Sequence, residues 1–173
     1  PGADEYAPYY QPYVALVAEG GIVGILARQI DETIALFSGL TEAQADHAYA
    51  EGKWTIKEVV GHLSDSERVF AYRALRFARG DTTELAGFDE NVYVPAGEFG
   101  GRPFTELLEE LMVVRRATVA LLGGLPEAAW TRRGRASGTE VSVRALATII
   151  AGHELHHRAI LSERYLPGIP AEG

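Results

Sequence analysis

Ser142-Val-Arg-Ala-Leu146-Ala-Thr-Ile149-Ile150-Ala-Gly-His153-Glu-Leu-His156-His157-Arg-Ala-Ile160-Leu161 is the stretch that decides the fold. Apolar residues return at Leu146, Ile149, Ile150, Ile160 and Leu161, the three-to-four spacing of an amphipathic helix. Ser142 is placed to cap its start, and the helix is expected to run to about Tyr165, before Pro167-Gly168. His153 and His157 fall on the same stripe, where the pattern calls for buried apolar side chains. Four residues apart, they lie one above the other on one face. Two imidazoles so placed can chelate one divalent ion.

The same period runs through three earlier segments. Ile22–Gly39 aligns Ile22, Ile25, Leu26, Ile30, Ile34 and Phe37; Ile56–Arg79 aligns Ile56, Val59, Val60, Leu63, Phe70, Ala74 and Phe77. Phe104–Leu122 aligns Leu107, Leu108, Leu111, Val114, Thr118 and Leu121. Thr41 with Gln44, and Thr55 with Glu58, read as capping boxes. The expected fold is all-α, a four-helix bundle. Its first two helices form an antiparallel pair, and a long loop rich in Gly and Pro separates helices two and three. Arg132–Thr139 reads as a basic loop, with no convincing strand anywhere. Pro1–Pro12 reads as an extended arm with Tyr6, Tyr9, Tyr10 and Tyr13 as anchors. All 173 residues are expected in one domain.

Composition narrows the function. A net charge of −8 argues against nucleic acid, whose phosphates need Lys and Arg, and against an anionic membrane surface. No run approaches the roughly 18 apolar residues of a membrane span. The first residues lack the basic and apolar regions of a signal peptide. A cytoplasmic protein is therefore expected, and the missing initiator Met reads as a trimmed start. There is no Cys, hence no thiolate nucleophile, and any metal must be held by His, Asp or Glu.

Five histidines are present: His47, His62, His153, His156 and His157. His62 sits between Val59 and Ser66, at the edge of the inward stripe of helix two, in a position to face the same cavity as His153 and His157. Burying polar rings without partners costs a few kcal/mol, whereas a shared ion satisfies them as neutral ligands. His156 lies a quarter turn away, exposed or behind the ligands, and His47 lies in a loop at the surface. Gly61 and Gly152, each costing about 1 kcal/mol inside a helix, suggest a close approach of helices two and four.

His153-Glu154-Leu-His-His157 also fits the zinc-protease pattern H-E-x-x-H, with Glu154 as base. The longer signature fails, because Ile160 and Glu163 occupy its Gly and final His positions; Glu154 is then expected at the surface or behind a ligand. Candidate general bases are Glu67, one turn from His62 alongside Asp65 and Ser66, and Asp89 and Glu90 in the long loop. Arg132, Arg133 and Arg135 form either an anion patch or a solvated basic loop.

Two segments carry a family resemblance: Gly52-Lys-Trp-Thr-Ile-Lys-Glu-Val-Val-Gly-His62-Leu-Ser-Asp-Ser-Glu67-Arg-Val-Phe and Gly152-His153-Glu-Leu-His-His157. With them the chain resembles the DinB-like superfamily, including YfiT-type metal-dependent hydrolases, over about Tyr13 to Tyr165. The family pattern of one His on the second helix and H-x-x-x-H on the fourth falls on His62, His153 and His157. The resemblance implies a bundle with one divalent ion near one end, zinc or nickel foremost, with iron or manganese also compatible. It implies a homodimer and a small-molecule substrate. The activity implied is hydrolysis, or S-transfer of a low-molecular-weight thiol; the alternative is a non-enzymatic stress-associated module with a structural ion.

Overall fold

Hydroxyl caps set where the helices begin. Thr41 and Thr55 accept the backbone N–H of Gln44 and Glu58, whose side chains return the bond, and Ser142 Oγ accepts the Ala145 N–H at 3.0 Å. The computed structural model describes residues 1–169. Its helices are α1 (Gln11–Val14), α2 (Ile22–Phe37), α3 (Glu42–Ala45), α4 (Ile56–Ala78), α5 (Glu90–Gly97), α6 (Phe104–Gly123) and α7 (Val143–Ile160). The four long ones, α2, α4, α6 and α7, form a four-helix bundle, each beginning close to where the apolar period predicts; α7 stops at Ile160, and a π-helical turn, Leu161–Tyr165, carries the chain to the expected end. None is long and apolar enough to cross a membrane.

The helix order around the bundle differs from expectation. α4 packs against α6 and α7, and α2 also packs against α6 and α7. The first two long helices are therefore diagonal partners rather than an adjacent antiparallel pair. Residues 38–55, which include α3, are long enough to carry the chain across the bundle end.

Two apolar clusters fill the interior. One gathers Leu26, Phe70, Phe77, Leu122, Leu146 and Ile149, the other Phe37, Ile56, Val60, Phe104, Leu111 and Leu161. Along the helices the polar residues Gln29, Glu67, Arg115 and Glu154 interrupt the change from one cluster to the other, and all four are buried.

Three segments depart from the sequence reading. Arg133–Ala136 and Thr139–Ser142 pair as an antiparallel hairpin, β1 and β2. Its turn, Ser137-Gly138, has positive φ at both residues (53° and 76°), the two-residue turn that matches strand twist. Gly134 is required there, since a Cβ would lie 2.1 Å from the Phe77 ring. The long loop contains α5 and a 3-10 turn, Phe99–Gly101. Pro1–Pro12 is not extended: 3-10 turns at Ala3–Glu5 and Pro8–Tyr10 lead into α1. Glu5, buried, ties this segment down by accepting bonds from Ser142 Oγ (2.7 Å) and Arg144 Nε (2.6 Å).

Candidate metal centre

α4 contributes His62, and α7 contributes His153 and His157. His153 Nε2 lies 3.1 Å from His62 Nε2 and 3.2 Å from His157 Nε2, and the three donor atoms all fall within 4.8 Å of one another. No distribution of protons satisfies both short contacts. An imidazole nitrogen has one N–H or one lone pair, not two, so His153 Nε2 can complete a good hydrogen bond with only one neighbour. Cations fit worse. Burial pushes the pKa of His62 down to about 4 and that of His157 to about 3. Burial, then repulsion from His157 and His62, pushes His153 well below its ordinary value. The trio is thus neutral, the form in which imidazole binds metal. Two nitrogens on one tetrahedral zinc stand about 3.3 Å apart at the usual 2.0–2.1 Å bond length. Three nitrogens at this spacing can hold one divalent ion.

Aromatic rings support the imidazoles. Trp54 packs on His62 at 4.9 Å between centroids, and Tyr13 packs on His153 at 5.5 Å and His156 at 5.1 Å. Ser66 Oγ stands 3.4 Å from His62 Nδ1, one helical turn on. Both helical glycines do mark close approaches, but not of α4 to α7. A Cβ on Gly152 would lie 2.0 Å from the carbonyl oxygen of Tyr13, so this glycine admits the N-terminal segment against α7. A Cβ on Gly61 would meet the Phe99 ring at 2.4 Å.

The trio opens on a cavity of about 340 Å³. Tyr10, Tyr13, Trp54, Phe70 and Phe88 line it, with Ser137, His156 and Glu90 as polar groups. The sequence reading missed these rings and set His156 aside; only its quarter-turn offset from the ligands hinted at its place. Of the three candidate bases, Glu90 alone faces this cavity. Asp89 caps α5, accepting the Asn91 N–H at 2.9 Å. Glu67 is locked to Arg115 through two bonds of 2.8 Å.

Glu154 is neither at the surface nor at the cavity. It is 2% exposed, with Arg115 Nη2 at 2.6 Å, Gln29 Nε2 donating at 2.7 Å, and Thr33 Oγ1 donating as well. A carboxylate so engaged cannot serve as the base of an H-E-x-x-H protease. His47 is not simply a surface group either, since its Nε2 is buried and its ring packs near Tyr165. The arginines of the hairpin form no anion patch. Arg133 pairs with Asp4 (2.7 Å) and Glu140 (3.0 Å), Arg135 donates to Gly138 O (2.6 Å), and Arg132 donates to Ala78 O.

Residues 25–161 match the family model described as the DinB superfamily. Over 124 residues, 70% of this chain and 70% of the other, the sequence is 29% identical to a Geobacillus kaustophilus protein named as a candidate metal-dependent hydrolase. YfiT from Bacillus subtilis, described as a probable metal-dependent hydrolase with an unusual four-helix bundle topology, is similar in structure. Its TM-score is 0.73 at 20% identity, covering 92% of this chain and 91% of that one. A DinB-like protein of Bacillus subtilis, YjoA, gives a TM-score of 0.63 at 23% identity over 87% of this chain and 95% of its own.

Proposed function

The chain belongs to the DinB superfamily, and from that premise we propose that it is a metal-dependent hydrolase whose divalent ion is held by His62, His153 and His157. One observation carries this reading: three neutral imidazoles with irreconcilable proton demands meet at the wall of an open cavity. The relatives named for metal-dependent hydrolysis support it. Zinc and nickel both suit the donor set.

A structural zinc site is closed by four protein ligands, whereas a catalytic one leaves a position open. Among the described residues the cluster comprises three ligands and no fourth, and this favours catalysis over a structural ion. A divalent ion held there supplies Lewis acidity and lowers the pKa of water from 15.7 toward about 7. The protein's own residues do the rest. The imidazoles fix the position of attack, the aromatic walls orient the substrate, and the Glu90 carboxylate takes the proton of the attacking water. Ser137 and His156 offer hydrogen bonds to the leaving group from the same cavity. S-transfer would use the same open position, but no Lys or Arg is among the described residues lining the cavity to hold an anionic thiol cofactor.

Zinc-reconstituted protein assayed against aryl and alkyl esters tests this. Hydrolysis above the metal-free background is expected, with kcat reduced about 10²-fold or more in Glu90→Gln at unchanged metal content. Thiol-dependent conjugation without hydrolysis would overturn it.

A further inference from the structure

We propose that the cavity selects substrates whose scissile ester or amide bears an uncharged, flat group, such as an aryl ring, and rejects those bearing a carboxylate or phosphate on that group. This rests on the metal-dependent reading above and adds the substrate class.

The walls carry the inference. Aromatic surface begins at the imidazoles themselves, with Trp54 beside His62 and Tyr13 beside His153. It continues through Phe70, 6.1 Å from His153 between centroids, to Phe88, 6.2 Å further on, with Tyr10 6.1 Å from Phe70. Rings of this kind favour a flat partner, through offset or edge-to-face contact as well as burial. Charge is distributed to match. No Lys or Arg is among the described residues lining the cavity, and its one carboxylate, Glu90, repels anions. Recognition of carboxylate or phosphate ordinarily uses the fork of an Arg or the point charge of a Lys.

Arg73 lies against these walls, and it is engaged. It lies 5.8 Å from the centroids of both Phe70 and Phe88, is 3% exposed, and donates to Ala86 O (2.9 Å) and Ser137 Oγ (3.0 Å). A divalent ion attracts any anionic ligand atom; the walls decide what the remainder of the molecule can be. A neighbouring groove, which shares Trp54 and His157 with this cavity, does carry a cation, Lys53, and is the competing seat for an anionic tail.

Three hydroxamates share one metal-binding head and differ in the tail, so calorimetric titration of the zinc-loaded protein separates tail from head. Benzohydroxamate is expected to bind about tenfold tighter than acetohydroxamate, and 4-carboxybenzohydroxamate to lose that gain. Phe88→Ala, on the loop, should shrink the benzo advantage while leaving the acetohydroxamate Kd unchanged. Equal Kd values for the benzo and aceto probes would overturn the inference and leave the metal reading standing. So would tighter binding of the carboxylate probe that Lys53→Ala abolishes. If zinc does not load, or loads equally in His153→Ala, the metal reading itself fails and this inference falls with it.

Discussion

Arg115 Nη2 lies 2.6 Å from Glu154 Oε2, and Glu154 is the residue that follows His153. Neighbours in sequence thus serve different ends: His153 faces the cavity, while Glu154 anchors α7 to a guanidinium from α6. The same Arg115 grips Glu67 of α4, three residues before Phe70 on the cavity wall. One buried cation therefore ties both ligand-bearing helices to a third.

Removing Arg115 leaves two buried carboxylates without their counter-charge. Breaking such a pair from one side typically costs about 3–5 kcal/mol, and that loss is expected for Arg115→Leu in urea unfolding. Arg68→Ala, which breaks exposed pairs with Glu110 and Asp65, should cost under about 1 kcal/mol. Similar losses in the two variants would contradict this role for Arg115.

Gly152→Ala forces a Cβ to within 2.0 Å of the Tyr13 carbonyl, a backbone atom that cannot swing aside. The N-terminal segment must shift off α7, and a loss of about 1–3 kcal/mol is expected. Gly24→Ala is the contrast. Its Cβ would meet only the end of the flexible Arg28 side chain, at 3.4 Å, and removing a helical Gly should stabilise by about 0.5–1 kcal/mol. Thermal melts of both variants check the opposite signs.

Acid should undermine the metal-free protein through its histidines. Burial holds His62 at about 4 and His157 at about 3, against 6.5 for an unburied imidazole. As pH falls below about 6.5 the unfolded chain takes up protons that the folded chain refuses, so stability drops. It is fully present above that value and lost progressively as pH falls toward 4 and then 3. Unfolding followed from pH 8 to pH 4 without metal should show this fall, with a shallower slope in His157→Leu. An unchanged slope in the variant would contradict the burial account.

Glu5→Gln should loosen the segment that brings Tyr9, Tyr10 and Tyr13 to the cavity. The charge-assisted bonds from Arg144 and Ser142 weaken together. Limited proteolysis is expected to cut near Ala15–Gly20 faster in the variant, with the bundle otherwise intact. Equal cutting rates would show that Glu5 does not hold the segment.

What could be read from the sequence follows from local chemistry. Thr55 with Glu58, and Ser142, announce helix starts because their bonds reach only three residues ahead. The phase of His153 and His157 on an apolar stripe is equally local. The burial of Glu154 was not readable, because its partners Arg115, Gln29 and Thr33 come from two other helices. Nor was the hairpin, whose Arg133-Gly-Arg-Ala run lacks apolar alternation and pairs because Gly134 fits against Phe77. The diagonal placement of α2 and α4 depends on packing that connection length does not encode. Gly152 did signal a close approach, but its partner, Tyr13, lies far away in sequence.

Elemental analysis of protein purified without added metal, in parallel with His62→Ala, His153→Ala and His157→Ala, bears most directly on the shared ion. The three-imidazole account predicts close to one divalent ion per wild-type chain and a level well below that in each folded variant. Full occupancy in His153→Ala, the residue within 3.2 Å of both other ligands, would contradict it.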